Sequence, residues 1–210
     1  MSYEPFIDDP EHIREVDGQR FVVLRPEGVV SDCHRKLQDV LRRSLSGMPV
    51  SFPRAHVTLA GFAGGTQLES ARELVSSWTH GVPPLRVQVQ GARSFPSPFQ
   101  ILYLEVLKTP ALVRALRSLR RLAEERGLPV ETGIPVDAWV FHMSLAYCSK
   151  LTATQWDSVA RLCETQHLVN ASCIQETVEI AAFDGGKEYS GGTYSLSGEA
   201  FDFDVGHVSG

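Results

Sequence analysis

One five-residue pattern occurs twice in this chain and limits what the chain can fold into. His56–Ala60 reads HVTLA and His142–Ala146 reads HMSLA, so each copy has a histidine, an apolar residue, a hydroxyl residue, leucine and alanine. In an extended strand, side chains two residues apart point to the same side. Each copy therefore predicts a strand that presents an imidazole and a hydroxyl on one face and buries apolar side chains on the other.

The segments that precede the two copies are duplicated as well. Each copy follows an apolar strand and an amphipathic helix; the strands are Phe21–Leu24 and Ile101–Val106, and the helices begin near Ser31 and at Thr109-Pro110. Two copies in the two halves of the chain indicate one internal duplication, not a solenoid array. We expect an α+β fold with two lobes, in which two pseudo-symmetric antiparallel sheets with flanking helices enclose a central cleft where the two patterns meet.

The remaining periodicity completes the expected order of elements. It predicts motif strands over 54–62 and about 137–148, helices over 68–78 and from about residue 152, and strands over 85–90, 174–183 and about 193–196, with a turn at Gly185-Gly186. We expect residues 1–19 to be a loosely ordered N-terminal segment, residues 20–197 to form a single bilobed domain, and residues 198–210 to be a weakly ordered tail.

Charge and cysteine content exclude several classes of function. With 20 Lys and Arg against 25 Asp and Glu, the net charge is −5, which disfavours long DNA or RNA as a ligand but allows a small or locally held anion. No two of the four cysteines have CxxC spacing, so neither a zinc knuckle nor a redox pair is indicated. Without a leader pattern or an apolar run of about 20 residues, we expect a cytoplasmic monomer with no membrane contact.

The two patterns together favour catalysis. A single histidine on a strand is usually structural, but two imidazoles and two hydroxyls that meet in a cleft can activate a nucleophile, protonate a leaving group and hold an anion. We therefore identify His56 and His142 as candidate catalytic residues. The alternative is that Thr58 and Ser144 are ordinary β-strand residues.

With these two motifs and the strand–helix order around them, the sequence resembles the 2H phosphoesterase superfamily. That group includes 2′,3′-cyclic phosphodiesterases and the bacterial and archaeal proteins called 2′-5′ RNA ligases, and the resemblance covers about residues 20–197. It implies a bilobed fold and metal-independent chemistry, catalysed by the histidine pair, on a cyclic phosphate or a 2′-5′ phosphodiester of a nucleotide or short RNA. The partner expected from it is such a nucleotide or RNA.

Ala60 and Ala146 depart from that family's pattern. Many members of the RNA-ligase-like branch carry arginine just after a motif, and the alanines here favour a hydrolase over an enzyme that joins RNA. Two alternatives stay open: a non-catalytic module that binds a nucleotide or an RNA end, and a 2′-5′ RNA ligase.

Several further residues are candidates for substrate contacts. Thr58 and Ser144 are expected to bind phosphoryl oxygens, and so is Arg54, which shares the face of His56 if the strand extends that far. Aromatic residues that could stack on a base are Phe62, Phe99 and Tyr147, although packing is an alternative for each. Arginines on the 110–126 helix could steer RNA, but a solvated helix face is the simpler interpretation.

No metal or cofactor is expected. A metal site built on His56, His142 and Asp137 would lack HxH or HExxH spacing, and neither motif contains a carboxylate. The other histidines lack a duplicated hydroxyl partner, and we leave them out of the site; they are His12, His34, His80, His167 and His207.

Overall fold

The computed structural model describes residue 5 and residues 9–130, 134–164 and 170–199. Within these ranges the helices are α1 (Pro10–Glu15), α2 (Gly28–Ser44), α3 (Leu68–Thr79), α4 (Pro110–Glu125) and α5 (Ala153–Glu164). The strands are β1 (Arg20–Leu24), β2 (Val57–Phe62), β3 (Leu85–Phe95), β4 (Ile101–Val106), β5 (His142–Tyr147), β6 (Ala171–Gln175), β7 (Thr177–Asp184) and β8 (Lys187–Ser195).

The strands form two four-stranded antiparallel sheets, one in each lobe. Their orders are β2-β1-β7-β8 and β5-β4-β3-β6. Each motif strand, β2 or β5, is therefore an edge strand, and the two edges lie against each other. The predicted α+β architecture with two antiparallel sheets is confirmed.

Each motif strand contains a β-bulge that the sequence pattern does not predict. The register of β1 on β2 shifts so that Val22 pairs with Ala60 and Val23 with Thr58, which leaves Leu59 as an extra residue. In the same way, the register of β4 on β5 leaves Leu145 as the extra residue. Both bulges fall at the leucine of the repeated pattern. A bulge reverses the alternation of side chains beyond it, so residues after each leucine change face.

Short backbone bridges tie each motif strand to the chain segment of the other half. Ser51, five residues before His56, exchanges two hydrogen bonds with Tyr147 at the end of β5, at N···O distances of 3.2 and 2.9 Å. Phe62 at the end of β2 pairs with Val130. These reciprocal bridges hold the two lobes edge to edge along the motif strands.

Local sequence signals account for α4. The Thr109 hydroxyl accepts a hydrogen bond from the Leu112 amide, and Pro110 occupies the first helical turn, as expected for a capped helix start. The periodicity predicts an apolar stripe on this helix, and its buried members are Leu112, Ala115, Leu116, Leu119 and Ala123. Leu122, also part of the predicted stripe, is half-buried.

Several element boundaries differ from the prediction, among them the start of β8, which begins at Lys187 and not near residue 193. The segment 174–183, expected to be one strand, is two strands that belong to different sheets, β6 and β7. An alternating pattern continues through such a crossing, because it shows which residues are buried and not which sheet buries them. Helix α2 begins at Gly28 instead of near Ser31, and β3 extends to Phe95.

Both motif strands are shorter than predicted. Strand β2 begins at Val57 and β5 at His142, and a single 3-10 turn, Val136–Ala138, replaces the expected start of the second. The Lys108 ammonium donates hydrogen bonds to the main-chain oxygens of Val136, Asp137 and Trp139. These three main-chain oxygens therefore accept hydrogen bonds from a lysine side chain and not from a neighbouring strand.

The described parts of the terminal segments are partly structured. Within the N-terminal segment, Asp9 caps the short helix α1 by accepting a hydrogen bond from the Glu11 amide. At the other end, the Ser197 and Gly198 amides donate to the oxygens of Thr79 and Val82. Residues 1–4, 6–8 and 200–210 lie outside the described residues, and the domain limits stay a prediction. None of the described helices has the length and apolar character needed to cross a bilayer.

Candidate active site at the paired histidines

The two motif histidines have the same hydrogen bond. In His56, Nδ1 lies 2.8 Å from the Arg54 main-chain oxygen, and in His142, Nδ1 lies 2.9 Å from the Val140 main-chain oxygen. A carbonyl oxygen only accepts hydrogen bonds, so Nδ1 carries the proton in both rings. In the neutral imidazole Nε2 is then the basic nitrogen. Each half of the duplication thus fixes its imidazole in the same tautomer.

Burial keeps both imidazoles neutral. His56 is 5% exposed, and burial lowers its pKa to about 3, against the hydrogen bond to Arg54, which favours the charged form. Burial also lowers the pKa of His142, again opposed by the bond to the Val140 carbonyl. His142 is itself close enough to His56 to depress the pKa of His56 further by charge repulsion. At neutral pH both rings are therefore unprotonated at Nε2.

A buried ion-pair cluster lies beside His56. Leu24 pairs with Val57 across β1 and β2, so the next residue, Arg25, follows the strand that flanks His56. The Arg25 guanidinium lies 3.1 Å from Glu179 and 3.6 Å from Glu188, whose side chain is completely buried. The positive charge of Arg25 contributes to the low pKa of His56.

Tyr147 joins the face of Ser144. The two side chains are hydrogen-bonded to each other, which the bulge at Leu145 makes possible by reversing the side-chain alternation. Burial raises the pKa of Tyr147 to about 12, and the nearby carboxylate of Glu188 adds to this rise. The Tyr147 hydroxyl is therefore protonated at neutral pH and can donate a hydrogen bond.

Two aromatic rings surround His142. Phe95 and Tyr103 stack on each other with centroids 4.1 Å apart, and each presents its ring to the imidazole in an edge arrangement, at 5.0 and 5.4 Å. These two rings, which come from the neighbouring strands β3 and β4, restrict the orientation of the His142 imidazole.

The residues predicted to contact substrate differ in how exposed they are. Arg54 is exposed and precedes β2, so the strand does not extend far enough for Arg54 to share a strand face with His56. Its carbonyl accepts the hydrogen bond of the His56 imidazole, and its contact with a phosphate stays a prediction. Phe62 is completely buried in the core and offers no ring face for stacking. Phe99 is 63% exposed in the loop before β4. One face of Tyr147 is covered by His12, at a centroid distance of 4.5 Å.

Sequence reasoning missed Arg25, Glu188, Phe95 and Tyr103. Arg25 follows β1, Glu188 lies in β8, Phe95 in β3 and Tyr103 in β4. Only the pairing of these strands brings the four residues to the site. Tyr103, for example, lies opposite Ser144 in the register of β4 on β5 and therefore shares its surroundings. Among the described residues, no three His, Cys, Asp or Glu side chains are grouped to hold a metal ion.

Comparison with known proteins identifies the family. The family model described as 2′-5′ RNA ligase superfamily matches residues 26–186, which is most of the chain. The chain belongs to this superfamily, the 2H phosphoesterases. The predicted resemblance is confirmed. No curated protein matches the chain.

Solved structures with the same fold have little sequence in common with this 2H phosphoesterase. TT0787 of Thermus thermophilus superposes with a TM-score of 0.63 at 15% identity, over 87% of this chain and 100% of that one. E. coli LigT complexed with 3′-AMP gives a TM-score of 0.57 at 16% identity, over 86% and 98% of the two chains. A protein described as a phosphoesterase gives 0.55 at 14% identity, over 86% and 99%. At this level of identity the likeness shows the fold.

Proposed function

We propose that this 2H phosphoesterase opens a 2′,3′-cyclic phosphate, or cleaves a 2′-5′ phosphodiester, of a nucleotide or short RNA by acid–base catalysis that needs no metal. The observation that carries the proposal is the matched pair of Nδ1 hydrogen bonds, to the Arg54 and Val140 carbonyls. The two bonds leave the same nitrogen, Nε2, available in both halves of the duplication. A pair of proton-transfer groups needs such a fixed tautomer, because the reacting nitrogen must be the same in every turnover.

The reaction needs one proton acceptor and one donor. One imidazole takes a proton from water at Nε2 while the water oxygen forms a bond to phosphorus. The other imidazole, as imidazolium, gives its Nε2 proton to the ribose oxygen as the bond between phosphorus and that oxygen breaks. The two roles exchange in the reverse direction, so His56 and His142 serve as a pair.

The bound phosphate itself supplies the charge that the acid requires. In the unliganded protein burial lowers the pKa of both histidines, so protonation of either ring is energetically unfavourable at neutral pH. A phosphodiester anion in the cleft favours the charged form of a neighbouring imidazole and raises its pKa. Substrate binding therefore brings about the protonation that the leaving oxygen uses.

Hydroxyl groups hold the phosphoryl oxygens in this scheme. Ser144 and Tyr147 are hydrogen-bonded to each other, and Thr58 is the corresponding hydroxyl residue of the other half. Donors placed where negative charge grows stabilise the transition state. Arg54, exposed near His56, is proposed to contact the phosphate from solvent. For a base, the proposed stacking residue is Phe99.

The family and its structures support a nucleotide-type substrate. Structures with this fold include E. coli LigT complexed with 3′-AMP, NADP⁺, ATP and phosphate. We propose a related ligand for this chain. As alternatives, the same cleft would bind an RNA end without turnover or join RNA ends.

The deciding experiment is turnover of 2′,3′-cyclic nucleotides and 2′-5′ dinucleotides in EDTA, with identification of the product. We expect hydrolysis that His56→Ala or His142→Ala abolishes and that His80→Ala, at an exposed histidine on α3's end, leaves unchanged. Binding without turnover would indicate the binding module, and joining of RNA halves would indicate the ligase. Activity that appears only after a divalent ion is added would contradict the mechanism.

A further inference from the structure

Helix α1 packs on the face of the sheet β2-β1-β7-β8 that carries a hydroxyl of the candidate site. Ile13 and Val16 pack against a small apolar cluster that includes the buried residues Val23 and Phe183. Val23 pairs with Thr58 across β1 and β2, and residues that pair across two strands point to the same face of a sheet. Helix α1 therefore lies on the same side of this sheet as the Thr58 hydroxyl.

The same helix contacts the other lobe through His12. The His12 imidazole stacks on the Tyr147 ring, with centroids 4.5 Å apart and ring planes 24° apart. Tyr147 is in turn hydrogen-bonded to Ser144, the hydroxyl residue of the second motif. Burial lowers the pKa of His12, so its ring is uncharged at neutral pH. An uncharged, flat heterocycle thus covers an aromatic ring at the candidate site.

Both ends of α1 are held, one by each lobe. Lys150, just after β5, lies 3.6 Å from the Asp9 carboxylate and also contacts the Glu11 carboxylate. At the other end of the helix, the Gly18 amide donates a hydrogen bond of 2.9 Å to the Phe183 oxygen. The cavity that remains between α1 and the end of β5 has a volume of about 20 Å³, which is room for a water molecule and not for a nucleobase.

The contact between His12 and Tyr147 depends on a segment that precedes the family match. The family model matches residues 26–186, and α1 ends at Glu15. The sequence that makes α1 and places His12 is therefore separate from the two motifs, and its effect on the cleft has to be derived from this chain.

We propose that His12 is a specificity-determining residue: its ring occupies the face of Tyr147 on which a nucleobase would otherwise stack, so a substrate gains no affinity from its base there. Stacking of a base on an aromatic side chain strengthens binding by about tenfold or more. A ring that already covers the aromatic face withholds this gain. The inference rests on the proposed function and narrows it, because it leaves recognition on the Tyr147 side to the sugar and the phosphate.

The test is isothermal titration calorimetry with adenosine 3′-monophosphate, cytidine 3′-monophosphate and inorganic phosphate. His12→Ala should bind the adenosine nucleotide about tenfold more tightly than the unchanged protein does. The gain should be smaller for cytidine, whose base has one ring, and absent for inorganic phosphate, which has none. His12→Phe is the matched variant: it keeps a ring on Tyr147 and should show no gain. If His12 only supported the fold, its removal would weaken binding or leave it unchanged.

Two further variants test whether the gain comes from Tyr147 and from the position of α1. Adding Tyr147→Leu to His12→Ala should remove the gain, because the base then has no ring to stack on. Lys150→Gln should give a smaller gain in the same direction, because it releases only the ion pairs with Asp9 and Glu11. Lys36→Gln, at an exposed lysine of α2, loses the same charge and should leave nucleotide binding unchanged.

Equal affinity of His12→Ala and the unchanged protein for adenosine 3′-monophosphate would overturn the inference. An equal gain for inorganic phosphate would also overturn it, since it would show a wider cleft and not an exposed aromatic face. The two nucleotides are products and not substrates of the proposed reaction, so a negative result for His12 leaves hydrolysis of a cyclic phosphate standing. Binding of neither nucleotide by any of these proteins would contradict the inference and the proposed nucleotide substrate together.

Discussion

His34 Nε2 lies 2.9 Å from the main-chain oxygen of Ser144, which joins helix α2, from the first half of the chain, to motif strand β5 from the second half. One turn further along α2, the Gln38 amide donates to the Pro53 oxygen at 2.6 Å and to the Leu145 oxygen at 2.9 Å. Pro53 lies just before His56, and Leu145 is the bulge residue of β5. Buried side chains of α2 therefore link the backbone of both motif segments and set the distance between them.

Gln38→Met should destabilise the protein by about 2–4 kcal/mol, because two buried carbonyls, those of Pro53 and Leu145, lose their donor while the side-chain volume is nearly kept. The measurement is urea unfolding at neutral pH. Gln90→Met, at an exposed position of β3, is the control and should change the free energy of unfolding by less than about 0.5 kcal/mol. Equal stability of the two variants would show that the link across the lobes is unimportant.

His56→Ala and His142→Ala should each lower kcat/KM by about 10²–10⁴-fold, which is the usual value of acid–base assistance. The double variant should be little worse than either single one, because the two imidazoles act as a unit. Steady-state kinetics on a 2′,3′-cyclic nucleotide measures this. Losses that multiply in the double variant would indicate two independent roles.

Tyr147→Phe should lower kcat/KM by about tenfold, because it removes the hydroxyl that is hydrogen-bonded to Ser144 but keeps the ring that packs on His12. Kinetics and thermal unfolding of the same variant separate catalysis from packing. Tyr194→Phe is a control for the loss of a tyrosine hydroxyl at the end of β8. If Tyr147→Phe and Tyr194→Phe have the same activity, Tyr147 has no part in phosphate binding.

The pH profile of kcat/KM should be bell-shaped with its maximum below pH 6.5. This profile reports the unliganded enzyme, in which burial lowers the pKa of both His56 and His142 from 6.5. One of the two must be neutral and the other protonated, so the maximum lies between two lowered values. The profile of kcat should be displaced to higher pH, since bound phosphate raises the pKa of the acid. A maximum of kcat/KM above pH 7 would contradict this assignment.

The sequence predicted the fold because its strands, helices and turns depend on local patterns, while the catalytic role of the two histidines stays a prediction. The repeated HVTLA and HMSLA segments, the capped start of α4 at Thr109 and the glycine turn at 185–186 are each specified by neighbouring residues. What the sequence could not show depends on pairing between distant segments. The bulge at Leu145 places Tyr147 on the face of Ser144, whereas plain alternation along the strand puts residues 144 and 147 on opposite faces. Arg25 and Glu188 reach the site only through the order of strands.

Arg25→Gln should raise the pKa of His56 from its low value. The positive charge of Arg25 disfavours the imidazolium, and its removal also leaves the buried carboxylate of Glu188 without this cation. Both changes favour the protonated ring, although burial keeps its pKa below 6.5. NMR titration of the His56 side chain measures the shift directly. Arg86→Gln, at an exposed arginine of β3, should leave the titration unchanged, and an equally unchanged titration in Arg25→Gln would remove Arg25 from this role.

His56 should also make the stability of the protein depend on pH. Its pKa is about 3 in the folded protein and 6.5 in the unfolded chain, so between these values the unfolded state binds more protons. The free energy of unfolding therefore falls as the pH is lowered through 6.5 towards 3. At about 1.4 kcal/mol for each pH unit, the contribution of His56 at pH 5 is a loss of about 2 kcal/mol relative to pH 8. In His56→Gln this part of the loss should disappear, and subtracting the two pH dependences cancels the carboxylates that both proteins share. Urea unfolding of both proteins from pH 8 to pH 5 measures the difference, and parallel curves would mean that His56 is protonated as readily in the folded protein as in the unfolded chain.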